Sequence, residues 1–592
     1  MKLYLYVSLI IIGVTFASCQ PTMDYANPSA SSDETYYNTQ THLIYAVNGA
    51  YNILQDGGCW ARDMPFLLNA RSDEYVYTSG AAAGETVSAN ISQFNVAADN
   101  GFMSEAWQDF YKLQYAANLA IEKLEANQDN AFDLTNATDS ALYYRLIGEA
   151  TFLRGLSRFY LDFLWGDQIT DRNYVTTGGS DYMASAASSG VIYKRMIQDF
   201  KTAASYLPVR SKMYTEDDNI GRVTKGSALA FLAKAYMGRP ILDSTVGSGS
   251  AEWDSAKIAL KEIIDSGEYE LINNYHDNFT DGDENNKESI FEVQFSNTDA
   301  GYWATTAQDT WRQIELSSPN SSESARWWNG QPSLALYKEF ERDDEGNIID
   351  PRAYQGLWIP DGAKFYGKSG KWIGYTTLFS GGTFDSWQGK WFACRKYGSD
   401  KYESDAGNSG INDRLIRYAD VLLMYAECCV ETGDQSTALK YIDLVRARAN
   451  NQMTSPTDAD ADMFYATGSG LLPTGEQLIA EHPTVGRLVS NDGTEICSGM
   501  EINTVRRLLK HEYSVEEYWE GWRFFNLMRW YNNPNDQDAS SMLDNLVNKN
   551  AIQVYQTGLT GTSTFKYSKN LRYPIPSTEL DRNSNLEGNS AN

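Results

Sequence analysis

Residues Glu517–Trp530 read EYWEGWRFFNLMRW. The run has no proline, and its one glycine is flanked by large side chains, which predicts a continuous helix. Trp519, Trp522, Phe525 and Trp530 make it heavily aromatic, and Glu520, Arg523 and Arg529 are threaded among those rings. Ions of both signs persist in an apolar interior only when they are paired and hydrogen-bonded. The segment therefore predicts a packed ion network inside a core, in which Glu520 and Arg523 are structural and need each other's charge.

Upstream of this segment, residues 413–449 read as a helical hairpin. Val421, Met424, Tyr425 and Cys428 recur at i, i+3, i+4 and i+7, one face of a helix. Gly433-Asp434 interrupts it, and Ala438, Ile442, Val445 and Ala449 line the return helix. Two antiparallel helices meeting through small residues over about 34–37 positions form a tetratricopeptide-type unit. Looser copies precede it. Leu153, Leu156, Tyr160 and Phe163 form a stripe ended by Gly166-Asp167, with Val191–Leu207 as partner; Lys225–Met237 pairs with Trp253–Ser266; Phe102–Asn127 is another long helix. The expected class is all-α, a repeat scaffold that buries a shared face between neighbouring units.

From about 275 to 411 the helical period fades and Gly, Asn, Ser and Asp become common, the mark of irregular structure. Eight of the 15 tryptophans fall between Trp303 and Trp391, far more than that window's share of the chain. Flat indole faces stack on sugar C–H faces and lose little entropy on binding. Trp303, Trp327, Trp328, Trp387 and Trp391 are therefore the expected ligand contacts, against the competing expectation that a given tryptophan packs beneath the loops. The adjacent pair Trp327-Trp328 points to opposite sides if extended.

The chain of 592 residues carries a net charge of −28, the wrong sign for nucleic acid. Residues 1–18 combine Lys2, an apolar stretch and Ala17-Ser18 before Cys19. That stretch is too short to span a bilayer and carries a small-residue cleavage site. It reads as a lipoprotein signal peptide, with Cys19 lipidated, 19–38 a polar tether, and 39–592 the folded part. The other five cysteines include no C-x-x-C pair, so neither a disulfide framework nor a thiolate metal site is expected. Four histidines without an H-E-x-x-H and no G-x-S-x-G leave catalytic constellations thin. Gly362–Ser369 matches a Walker pattern, but the residues after Ser369 carry no helical stripe, so no phosphate cradle is expected. The acidic run Asp277–Glu288 lacks EF-hand spacing and reads as a solvated loop. No cofactor or metal is implied.

Several motifs together resemble the SusD/RagB family of nutrient-binding outer-membrane lipoproteins. Glu512, Glu516, Glu520, Gly521, Arg523, Phe525, Leu527, Arg529 and Trp530 fit its C-terminal signature, with Tyr513 and Asn526 standing where the family has arginine and aspartate. Arg417, Tyr418, Ala419, Tyr425, Ala426 and Glu427 fit an RYAE-like step, and Pro574, Ile575, Pro576 and Glu579 a P-I-P-x-x-E ending. The resemblance implies a tetratricopeptide-like scaffold with a second, loop-rich ligand surface. It also implies a hinged lid on a SusC-like TonB-dependent barrel, which captures an oligosaccharide without breaking a bond. The S-D-E step at Ser72–Glu74 makes Asp73 a further ligand candidate by the same resemblance. A peptide ligand, as in the RagB branch, is the alternative within the family; a secreted glycan hydrolase using paired carboxylates is the rival outside it.

Overall fold

The computed structural model describes residues 36–78, 83–175, 183–296, 309–310, 329–359, 364–375, 392–398, 409–450, 472–559 and 564–587. The expected Cys19 anchor and the five tryptophans named above lie outside them.

The chain is mostly helical. The helices α1 (Gln40–Ile53), α2 (Gly101–Ala126), α3 (Ala137–Trp165), α4 (Ser189–Tyr206), α5 (Lys225–Met237), α6 (Trp253–Ser266), α7 (Tyr418–Glu431) and α8 (Gln435–Asn450) stack one against the next. Each boundary has a local cause. Asn136 caps α3 by accepting from the amides of Thr138 and Asp139 at 2.8 and 3.3 Å, satisfying donors the first turn leaves open. Gly166, at φ +67°, ends it. Thr224 and Ser227 form a reciprocal capping box at the start of α5. Gly433, at φ +84°, makes the turn between α7 and α8. The interior of the stack is aromatic: Phe152 meets Phe231 and Phe291 edge-on, with ring centres 5.6 and 5.5 Å apart, a favoured geometry for aromatic quadrupoles.

The hairpin expected over 413–449 is helical only from Tyr418. Asp413–Arg417 is a strand, β6, antiparallel to β2 (Ser289–Val293). This ribbon carries Arg417 to a point where Glu288, Glu516 and Glu520 converge. The irregular part is otherwise built of two-stranded ribbons: β1 (Tyr75–Tyr77) with β3 (Gly330–Pro332), and β4 (Leu357–Trp358) with β5 (Ala393–Cys394). The described part of the Walker-like run, 364–369, falls in a third. Phe365–Tyr366 pairs with Trp372–Ile373, and the Gly367 amide donates to the Lys371 carbonyl at 2.9 Å. Lys368 and Ser369 thus occupy a hairpin turn.

The segment Glu517–Trp530 is not one helix. Helix α9 (Val505–Glu517) stops within it, and α10 (Arg523–Tyr531) begins six residues later. Between them Trp519 and Gly521 adopt φ +61° and +91°, a region that an aromatic residue enters only when its surroundings hold it there. They do so here. The Trp519 amide and indole N–H donate to the side chain and carbonyl of Glu74, each at 3.2 Å, and the Gly521 amide donates to Asn69 Oδ1 at 3.1 Å.

This turn aims Glu520 into a buried ion lattice. Arg417 Nε and Nη2 donate to its two oxygens at 2.7 Å each, and Lys396 Nζ donates at 2.8 Å. Although burial alone would raise the Glu520 carboxyl, Arg417 and Lys396 hold it below the usual carboxylate range. Glu516 is met by Arg417, Arg352 and Arg448. Glu512 takes Arg352 and Arg446, Glu288 takes Arg417 and Arg448, and Glu341 takes Arg446. Arg352 also forks onto Asp350 at 3.0 and 2.8 Å. His511 bridges Glu339 and Glu341. Glu520 and Arg523 therefore do not pair with each other: the turn sends them in different directions. Glu288, read as the end of a solvated acidic loop, is fully buried. Arg529 and the Trp530 indole close a second pairing on Glu427 at 2.6–3.1 Å.

Candidate functional site

The short helix Asp63–Asn69 leads into the Arg71–Glu74 loop and then into β1. The loop is held from within: Ser72 Oγ donates to the Asn69 carbonyl at 2.8 Å, and Lys549 Nζ donates to the carbonyls of Ala70 and Ser72. Burial pushes the Lys549 amine down to about 7.

Asp73 is 4% exposed. Its two oxygens accept from Arg523 Nε and Nη2 at 2.8 and 2.9 Å, and Arg523 Nη1 donates to Ser514 Oγ at 2.6 Å. Burial opposes ionisation of Asp73, but the fork from Arg523 keeps its carboxyl below the ordinary range. Burial pushes the neighbouring Glu74 up to about 8. Asp73 and Arg523 border a polar cavity of about 150 Å³, whose wall also includes Glu339, Arg507, Lys510 and Asn545. Asp73 thus comes to this site with both oxygens engaged by Arg523.

The same loop organises the ends of two tryptophan-bearing stretches. Ser333 Oγ donates to the Asp73 carbonyl at 2.7 Å and its amide to the Glu74 carbonyl at 2.8 Å. Tyr75 Oη donates to the Asn329 carbonyl at 3.0 Å; Asn329 directly follows Trp327-Trp328. The Phe392 amide, directly after Trp391, donates to Gln331 Oε1 at 3.2 Å. Residues 329–333, 392–394 and 73–77 therefore form one hydrogen-bonded junction, although Tyr75 and Asn329 stand 254 positions apart in sequence and Gln331 and Phe392 stand 61 apart. Of the window's other tryptophans, Trp358 is 1% exposed and sits against Phe365 and Arg395, a packing role.

Sequence reasoning missed Lys396, Arg352, Arg446 and Arg448, the counter-ions that join Arg417 in the lattice. The spacing of Glu512, Glu516 and Glu520 at intervals of four was the available signal: carboxylates repeated on an apolar helix face demand cations from elsewhere.

The model of the SusD family matches residues 287–591. This chain belongs to the SusD family. A second family model, described as starch-binding associating with outer membrane, matches residues 23–237. Among SusD-like relatives, SusD-like protein P2 of Formosa agariphila is 24% identical over 605 residues, covering 99% of this chain and 98% of its own. The crystal structure of a SusD homolog from Bacteroides thetaiotaomicron superposes with a TM-score of 0.69 at 18% identity, covering 94% of this chain and 98% of that one. Surface glycan-binding protein A from the same organism, solved with laminarihexaose, gives a TM-score of 0.64 at 18% identity, covering 93% and 99%. The two structures establish the SusD fold of tetratricopeptide-like helices for this chain.

Proposed function

We propose that this SusD-family protein is a non-catalytic glycan-binding lipoprotein of the outer-membrane surface. In this reading it is anchored through Cys19, and it captures an oligosaccharide for a SusC-like TonB-dependent barrel. The observation that carries the ligand reading is the junction at Asp73–Tyr77. It ties Asn329 and Phe392, the residues that directly follow Trp328 and Trp391 in sequence, to one hydrogen-bonded base, which supports a stacking surface for sugar rings beside it. Trp303 and Trp387 join Trp327, Trp328 and Trp391 as expected contacts. Family membership supports both the surface location and the barrel partner, and a SusD-fold protein solved with laminarihexaose supports the ligand class. Absence of catalysis is supported by the state of the interior carboxylates: Glu288, Glu341, Asp350, Glu512, Glu516 and Glu520 are each bound to arginine or lysine, and such groups make poor general acids.

Purified protein run through gels containing a panel of glycans tests the reading, with reducing ends assayed in parallel. Retardation by at least one glycan without new reducing ends is the expected result. Release of reducing ends would make it a hydrolase, and retention of peptides alone would place it with the RagB branch. Outer-membrane fractionation of a Cys19→Ala variant tests the anchor; co-purification with a large barrel in mild detergent tests the partner.

A further inference from the structure

The loop that carries Asp73 also carries Arg71, which takes no part in the pairing described above. Its side chain is 2% exposed, yet none of its three guanidinium nitrogens has a hydrogen-bond partner. The rings of Phe524, Phe163 and Tyr573 lie 4.1, 4.5 and 5.0 Å from its central carbon. Aromatic faces attract a cation but accept none of its N–H donors in the plane of the guanidinium. Seven other buried arginines behave differently: Arg158, Arg352, Arg414, Arg417, Arg446, Arg448 and Arg529 each face at least one carboxylate. Burial lowers the pKa of Arg71 to about 10, so it is still a cation at neutral pH.

Arg71 forms part of the wall of a cavity of about 230 Å³ between residues 94–98 and 569–574. Lys569, exposed at the surface, and Arg572 belong to the same wall, together with Asn95 and Asn570; no aspartate or glutamate does. An acid-free, cation-lined cavity is unexpected in a chain of net charge −28. Arg572 gives donors to the carbonyls of Phe163 and Ile241. The carboxylates that act on it are Asp162 and Asp167, and Asp167 lines a separate cavity that Arg572 also borders. Arg71 is thus the group in this wall whose donors are unspent. A water occupies about 30 Å³, so the space is several times what hydration of one guanidinium edge needs.

We propose that this cavity is an oxyanion site, in which a carboxylate, sulfate or phosphate group docks on the edge of Arg71 with Lys569 at the rim. A guanidinium edge matches such groups through two parallel charged hydrogen bonds. The anion is either free in solution or carried by a glycan as a uronate or sulfate ester. The site does not depend on the tryptophan-bearing segments, and it would stand if the glycan reading failed.

The test is thermal unfolding and calorimetry of the full mature chain titrated with sulfate, phosphate and acetate, at fixed ionic strength in chloride. A second arm uses uronate-containing and sulfated oligosaccharides beside neutral ones. The parent should show a saturable rise in Tm with at least one oxyanion. Arg71→Met should abolish that rise while keeping or exceeding the parent's Tm in chloride alone, because an unpaired buried charge has been replaced by an apolar chain. Lys569→Glu, a surface change, should weaken the anion at least about tenfold without altering the fold. Response to free anions assigns a free ion; response only to charged oligosaccharides assigns a subsite for an acidic glycan. No response of the parent to any of these, or an equal response in Arg71→Met, overturns the proposal. Should Arg71→Met fail to fold, an unchanged affinity in Lys569→Glu overturns it.

Discussion

The helical stack from α2 to α6 and the part of the molecule behind Glu512–Trp530 are held together in opposite ways. The stack buries Phe152, Phe159, Phe200 and Phe231 against one another, contacts that are non-directional and tolerate small changes of shape. Behind the Trp519 turn, five cations (Arg352, Lys396, Arg417, Arg446 and Arg448) face six carboxylates (Glu288, Glu341, Asp350, Glu512, Glu516 and Glu520) in a fully enclosed space. His511, held protonated by Glu339 and Glu341, supplies the sixth positive charge. Such a lattice adds little stability beyond an apolar core of equal volume, but it fixes geometry and is severely damaged when one member is lost. The tryptophan-bearing segments start from the second region. The difference teaches that the repeats supply bulk, while the lattice supplies a stiff base, the property that the proposed ligand surface requires.

The comparison breaks first at Arg417. Replacing it by methionine removes one cation from each of Glu288, Glu516 and Glu520 at once, and should cost roughly 3–5 kcal/mol in urea unfolding; a cost under about 1 kcal/mol would mean the lattice is incidental. His511 comes next. Burial lowers its pKa, but hydrogen bonds and charge from Glu339 and Glu341 outweigh this and raise it to about 9 from 6.5. A raised folded-state pKa gives stability that is complete below pH 6.5 and lost as pH climbs through 9, roughly 3 kcal/mol at most. His511→Gln should therefore flatten the stability profile between those values, and an unchanged slope would contradict the charge assignment. Arg523→Ala should cost about 2 kcal/mol, less than Arg417, because the cavity beside it lets water reach the stranded Asp73. Equal losses for the two arginines would erase that distinction. Phe231→Leu, in the stack, should cost only about 1 kcal/mol with an unchanged denaturant slope.

The repeats were legible in sequence because their helices announce a buried face by spacing, and two of them an end at Gly166 and Gly433. The pairing of the charges was not. Arg417 reaches Glu520 across 103 positions, and nothing local distinguishes that partner from Arg523, three residues away. The break at Trp519 was equally hidden, since its left-handed backbone is imposed by Glu74 and Asn69 from the opposite end of the chain. The strand Asp413–Arg417 was hidden beneath a good helical stripe because its partner, Ser289–Val293, lies in the irregular part. At the site, the S-D-E step and the clustered tryptophans were readable from composition and resemblance. The meeting of the S-D-E step with Asn329–Ser333 at the β1–β3 junction, and the uncompensated charge of Arg71, depend on tertiary neighbours that no local pattern encodes.

Calorimetry of single Trp→Ala variants at 303, 327, 328, 387 and 391, against a glycan that binds the parent, tests the central claim most directly. At least one variant should lose roughly 2–4 kcal/mol of binding, rim positions should lose less than about 1 kcal/mol, and melting temperatures should hardly move. If all five bind like the parent, or if all five unfold, the tryptophans belong to the core and the ligand is held elsewhere.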